Sequence, residues 1–532
     1  MFRLEKANTG ALYALFEDRF IHSPYDPERE AQRFVQGRIK EEPSTVLISG
    51  AGLGYINKII RSLYSNCKIV TLEGTSFFRD FVCQESDCYW DPSSKESLYS
   101  FLHSSIEELD LEGLVFLEWK PSLQILPSLA ESISETVRSF FLELSGNIQT
   151  SGCFNKVWLK NLIDNFLSLD NYKVLTHQGT IPVLIAASGP SLNSLISIFL
   201  HKPRDYYLLA LPSSFAFFRD NCLDIDLGIT TDPGYYASKH LLSAPTPGEF
   251  PLAFPLTACR LPRERYFEPL IINQNNLFET ELLNAAGYSS LELPSHGTVA
   301  GTALYLARQI SLGRIYFAGL DLAFEDTRSH VKPHTFDLYP FLESSRIKPQ
   351  YSQVYIKSRE SAPERIDDLW RSSLPLKTYK EWFSSHGSIF RNHLYRINET
   401  PNSIPGIPDL GRKDFLGIMQ NPVEKDLPSF ATTSALSQEK RKRIALELIK
   451  SIIGELKATL MSNTSSVAEK LRDHESRSHK ILASLDLPLL LEVKKSIRLQ
   501  GLDIALERLS KGISRNIDFL DSLRERILNY EG

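Results

Sequence analysis

The six cysteines of this 532-residue chain form no CxxC pair. Cys67, Cys83, Cys88, Cys153, Cys222 and Cys259 are scattered, which argues against a zinc cage or a disulfide framework. Reduced thiols in the cytoplasm are the expectation. No uninterrupted apolar run is long enough for a membrane span. The opening residues, Met1-Phe-Arg-Leu-Glu-Lys, lack the basic flank and apolar core of a signal peptide. Positive charge is not in excess: 59 Lys and Arg stand against 64 Asp and Glu, a net charge of −5. That balance excludes a general nucleic-acid binder. What is present is a globular composition, 42% hydrophobic and 23% charged, in a chain too long for one core.

The organising stretch is Ile181-Pro-Val-Leu-Ile-Ala-Ala-Ser-Gly-Pro-Ser-Leu192. Val183 to Ala186 has the length of a buried strand. Ala187, Ser188 and Gly189 strip the backbone of bulk, and Pro190 fixes a turn. Ser191 is placed to cap a helix whose apolar residues Leu192, Leu195, Ile196 and Phe199 fall at helical spacing. Strand, small-residue turn and helix start together make a site for an anionic group such as phosphate.

The predicted architecture is α/β. Residues 1–170 read as a Rossmann-like N-terminal domain. A strand from Thr45 to Ser49 meets Gly50-Ala-Gly-Leu-Gly54, then a helix, then a strand from Lys68 to Leu72 ending at Glu73. The GxGxG turn resembles that of S-adenosylmethionine-dependent methyltransferases, with Glu73 where a ribose-binding acid sits. Glycines also serve tight strand–helix packing, so the turn is a weak signal. Asn161 and Asn165 share one helix face, read as solvated or as a helix–helix hydrogen bond. Residues 171–345 alternate strand and helix signals, the pattern of a parallel catalytic α/β domain. Its strands end in polar residues: Ser213-Ser214, Thr231-Asp232 and Asp321. His296-Gly297-Thr298 opens a helix. Carboxyl ends of parallel strands line the ligand crevice. Residues 346–436, rich in Pro and Ser, read as a loop-rich connection or lid. Residues 437–532 read as a C-terminal helical bundle.

Four segments in order, Ala-Ser-Gly-Pro-Ser-Leu, Thr-Asp-Pro, His-Gly-Thr-Val-Ala-Gly-Thr-Ala-Leu and Phe-Ala-Gly-Leu-Asp-Leu-Ala-Phe, resemble the motility-associated factor (Maf) family. Those proteins are sialyltransferase-like and are implicated in placing nonulosonic acids on flagellin. The central domain is also similar to archaeal 6-hydroxymethylpterin diphosphokinases. The chain departs from the Maf pattern at Ala187, where glycine is usual.

The resemblance implies a CMP-activated nonulosonic acid, of the pseudaminic or legionaminic type, as donor. It implies serine or threonine hydroxyls of flagellin as acceptors. The roles that suit this chemistry are phosphate binding by Ser188, Gly189, Pro190 and Ser191, and nucleoside recognition by Ser213, Ser214 and Asp232. Gly297 and Thr298 would face the sugar carboxylate, and Asp321 would orient a partner or bind substrate. A base with a near-neutral pKa is required. His330 is the first choice, with His296 and His334 as rivals. His330 and His334 lie four apart, but Pro333 between them opposes a helix holding both on a metal, so no metal ligand is assigned. No cofactor is firmly implied. The alternatives are a diphosphokinase acting on a pterin-like alcohol, with Asp232 and Asp321 on Mg²⁺, or a non-catalytic flagellar assembly factor.

Overall fold

The computed structural model describes residues 2–201, 204–245, 250–262, 267–387, 390, 393–419, 426–462 and 464–531. The chain divides into two compact units: Met1–Cys153 with Lys457–Arg515, and Phe154–Leu456 with Asn516–Gly532. Among the described residues no helix is long and apolar enough to cross a membrane.

The first unit holds a four-stranded parallel sheet in the order Cys88–Trp90, Lys68–Leu72, Thr45–Ser49, Leu114–Glu118. Thr45–Ser49 is buried along its whole length, as a parallel strand covered on both faces must be. The opening 40 residues, which show no period in the sequence, form a three-stranded antiparallel sheet and the helix Pro27–Arg38. Asp26 caps that helix by accepting from the Arg29 N–H. The described part of residues 457–515 is mostly helical, as expected, but it packs with this unit rather than forming a bundle of its own. Arg498 fastens it, donating to Glu112 Oε1 at 2.8 Å.

The second unit is built on an eleven-stranded sheet. From one edge its path runs Asp409–Leu410, Leu394–Ile397, Ile315–Ala318, Val183–Ala186, Tyr207–Ala210, Leu227–Ile229, Pro251–Phe254, Glu268–Asn273, Asn171–His177, Ser429–Ser434, with Leu291–Glu292 pairing Glu268–Asn273 off the path. Every pairing is parallel except the last on the path, Ser429–Ser434 against Asn171–His177. From Val183–Ala186 chain order steps outward to Glu268–Asn273 on one side and to Asp409–Leu410 on the other, so the topological switch lies between that strand and Ile315–Ala318. Helices on both faces bury Val183–Ala186 and Ile315–Ala318 completely.

The reading of residues 346–436 as a loop or lid is corrected by this sheet, because three of its strands come from that segment. These strands are two to six residues long and carry polar residues, so neither length nor period marks them. Arg396 explains one of them. Its side chain is 1% exposed and pairs with Asp409. It also donates to the carbonyls of Leu320 and Asn402 at 3.1 and 2.7 Å. A buried guanidinium is tolerated where its fork is matched by acceptors.

Arg396→Ala is expected to lower unfolding free energy by about 3 kcal/mol, because it leaves those acceptors without their donor. Arg396→Lys recovers only part, since an ammonium cannot reproduce the fork. Urea unfolding of the two variants checks this; an unchanged midpoint in Arg396→Ala would refute the anchoring role.

Candidate functional site

The crevice at the switch point is built around Asp321, which follows the Ile315–Ala318 strand. Its carboxylate reaches the turn after Val183–Ala186. There Oδ2 accepts from the Ser191 N–H at 2.7 Å and Oδ1 from Ser191 Oγ at 2.5 Å. The Gly189 N–H donates to the Gly319 carbonyl at 2.8 Å. Burial raises the Asp321 pKa, and the Ser191 hydrogen bonds and Arg396 pull it back. A Cβ at Gly189 would overlap the Asp321 carboxylate and lie 2.6 Å from the Gly319 carbonyl oxygen. Glycine is required there by close approach. Three donors of the phosphate-type turn, the Gly189 N–H and the Ser191 N–H and hydroxyl, are thus turned inward to the neighbouring strand end, and Pro190 is buried beneath it.

Ser188 is left at the surface of the turn, half-buried, and its Oγ accepts from Ser213 Oγ at 2.8 Å. Ser214 instead is buried, donating to the Leu211 carbonyl at 2.7 Å. The loop after Asp321 folds back over this point. Val331 N–H donates to the Ser188 carbonyl at 2.8 Å. Lys332 and Asn193 exchange two hydrogen bonds, at 2.9 and 2.6 Å. These contacts tie the backbone that follows His330 to the turn at Ser188.

His330 does not stand alone. Its ring stacks on His334 at a centroid distance of 4.4 Å, and His240 meets His334 at 5.1 Å. His240, on the helix Tyr235–Leu242, was not singled out in the sequence; a histidine inside an ordinary amphipathic helix gives no signal. Burial lowers the pKa of all three, His240 to about 4 and His334 to about 3. For His330 the nearby Asp337 opposes the fall. The His330 and His334 rings are stacked at 21°, whereas the His240 ring meets His334 edge-on at 61°. Among the described residues no group of three such ligands is arranged to hold a metal ion.

Asp232, exposed at the end of its strand, accepts from the Gly234 N–H at 2.7 Å, and its carbonyl accepts from the Cys259 N–H at 2.9 Å. The loop behind it is clamped from two sides. Asn161 Nδ2 donates to the carbonyls of Pro233 and Thr257 at 3.1 and 3.4 Å. Asn165 Nδ2 donates to those of Leu256 and Ala258 at 2.9 and 3.1 Å. From the other side the fully buried Glu279 accepts from the Leu256 N–H. Burial outweighs that hydrogen bond and raises the Glu279 pKa to about 8. The two asparagines therefore hold strand-end loops, not a second helix. Glu279 was missed; its trace in the sequence is an acid between Phe278 and Leu282 on the apolar face of a helix.

His296 lies in a different set of rings: Tyr305 at 4.8 Å, Trp382 at 4.6 Å and His386 at 6.1 Å. Burial lowers its pKa to about 4. Thr298 caps the helix Val299–Ile310 through the Ala300 N–H, and Gly297 is exposed beside Tyr379. In the first unit Glu73 does lie at the glycine turn, but it is fully buried and accepts from the Gly52 N–H at 2.6 Å. His22 Nε2 accepts from the next amide, Leu53, at 2.9 Å. The acid and the turn amides thus serve each other.

An open parallel α/β sheet with its crevice at a switch point defines the class. Residues 156–327 match the family described as "6-hydroxymethylpterin diphosphokinase MptE-like". Beyond that domain, the fold is shared with a solved protein described as the Maf glycosyltransferase from Magnetospirillum magneticum AMB-1. That similarity covers 99% of this chain and 90% of the other, with a TM-score of 0.51 and 14% identity. An uncharacterized protein of Treponema pallidum (strain Nichols) is 29% identical over 320 residues, 60% of this chain and 68% of its own.

Two outcomes follow from the geometry. Gly189→Ala is expected to cost roughly 1–3 kcal/mol through overpacking against Asp321; a thermal midpoint equal to wild type would contradict it. For Glu279, the folded pKa lies above the unfolded value of 4.5. Its contribution is therefore fully present below pH 4.5 and is lost as pH rises towards about 8. Glu279→Gln keeps the acceptor oxygen and cannot ionise. The stability of that variant relative to wild type is expected to rise between those pH values, as read by urea midpoints; parallel curves would show that Glu279 does not titrate in that window.

Proposed function

We propose that this chain is a glycosyltransferase that moves a nonulosonic acid from a CMP-activated donor to serine or threonine hydroxyls of flagellin. The observation that supports this most is the extent of the fold likeness, which takes in both compact units and not the MptE-like domain alone. In the reaction the bond between the sugar's anomeric carbon and the CMP phosphate breaks. The acceptor oxygen bonds to that carbon, and the acceptor proton passes to a base. His330 is the base: depressed by burial, it is neutral at physiological pH and able to take the proton. Ser329 Oγ lies 2.7 Å from His330 Nδ1, so the tautomer donating to that hydroxyl leaves Nε2 free. The paired hydroxyls of Ser188 and Ser213 hold the donor phosphate, Asp232 reads the nucleoside, and Gly297 and Thr298 face the sugar carboxylate. Ser191 and Asp321 act as positioning residues that fix the turn.

The family match keeps a second reading, diphosphoryl transfer to a pterin-like alcohol. That reading needs Asp321 on Mg²⁺, whereas both its oxygens accept from Ser191. Thermal shifts separate the two: stabilisation by CMP alone is the transferase result, and stabilisation by ATP with Mg²⁺ the kinase result.

His330→Ala is expected to keep the CMP shift and lose transfer by 10²–10⁴-fold, the usual worth of a general base. The wild-type rate should fall on the acid side only below the ordinary histidine pKa of 6.5, because the folded value is lowered. Intact-mass analysis of flagellin after incubation with donor reads both; full transfer by His330→Ala would hand the base to another residue.

A further inference from the structure

The loop that carries His330 runs on into a hairpin whose apolar side chains face water. Its helices are Tyr339–Leu342 and Gln350–Ser361, closed by Gln353 donating to the Lys348 carbonyl at 2.9 Å. Phe341 is 60% exposed, Leu342 72%, and Ile347 and Tyr351 88% each, with Leu338 and Ile356 also exposed. A contiguous run of this kind marks a surface that another molecule covers. Two further features say what covers it.

The first is continuity with the crevice. Tyr339 meets Phe336 at 5.6 Å, Phe336 meets His334 at 5.5 Å, and His334 stacks on His330. A ladder of rings thus joins the exposed hairpin to the proposed base. A polypeptide lying on the hairpin is led to the place where its hydroxyl must arrive.

The second is charge. Residues 338–361 carry Arg346, Lys348, Lys357 and Arg359 against Glu343 and Glu360, an excess of two positive charges in a chain of net −5. Of these cations Arg359 is paired, with Asp326 at 2.9 Å. A basic rim around apolar side chains fits a segment that is apolar and acidic.

We infer that the 338–361 hairpin is the acceptor-docking surface, and that it takes an apolar, acidic segment of the acceptor protein next to the hydroxyl to be modified. This rests on the protein-glycosylation reading. The sugar donor is held by the strand ends, and the hairpin selects the acceptor.

The test uses the full chain and cognate flagellin. The substitutions Phe341→Ser, Leu342→Ser and Ile347→Ser are combined; all three side chains are exposed, so the fold does not depend on them. The expected result is at least a tenfold loss of flagellin affinity by calorimetry, with the CMP thermal shift unchanged. Arg346→Glu with Lys348→Glu should weaken flagellin binding and flatten its salt dependence. Wild-type affinity in the triple variant overturns the assignment while leaving the glycosylation reading intact. So does a triple variant that keeps flagellin but loses self-association in sedimentation, or binding to phosphatidylglycerol vesicles. A wild-type chain that binds CMP and not flagellin overturns the underlying reading instead.

Discussion

One carboxylate ties the central sheet together at the place where ligands bind such folds. Asp321 leaves the end of one strand and satisfies the Ser191 N–H and hydroxyl at the end of its neighbour. The two strands are adjacent in the sheet, and Ser191 and Asp321 are 130 residues apart along the chain. The lock demands that nothing stand between them, which is why residue 189 has no side chain. It also demands that Asp321 itself be held. Arg396 and Asn402 do this, the first through the Leu320 carbonyl and the second through the Asp321 carbonyl. The strand that carries Arg396 therefore belongs to the site's foundation.

The same device recurs in each unit. A fully buried glutamate, raised in pKa to about 8 by burial, accepts from backbone amides of a strand-end turn: Glu279 at Leu256, Glu73 at Gly52. A neutral carboxylic acid is a cheaper buried partner for an amide than a carboxylate, since no charge is desolvated. In the second unit the asparagines complete the clamp by donating to the carbonyls of the same loop.

The histidines divide by surroundings. His330 is tethered to the turn through Val331 and Lys332 and shares its ring face with His334. His296 is enclosed by Trp382 and Tyr305. Burial lowers the pKa of both, but only His330 lies on the loop bonded to the Ser188 turn.

Much of this was legible in the residues. Val183 to Ala186 reads as a buried strand because apolar runs of that length have few other uses, and the polar strand ends read as a crevice because parallel sheets put ligands there. Thr298 as a helix cap and the helices after residue 437 follow from local chemistry. The orderly set of motifs pointed to the Maf fold, which the solved neighbour shares across the chain. What the sequence left open depends on contacts between distant residues. A serine beside a proline does not disclose that its donors face an aspartate 130 residues later. Leu394–Ile397 looks like a loop because its arginine is polar, and only the packed fork makes it a strand of the core. The helices after 437 looked like a bundle of their own. They divide instead: residues 457–515 go with the first unit and the flanking segments with the second, a split that spacing cannot encode. Local periodicity determines elements; the satisfaction of buried polar groups across the chain decides where those elements go.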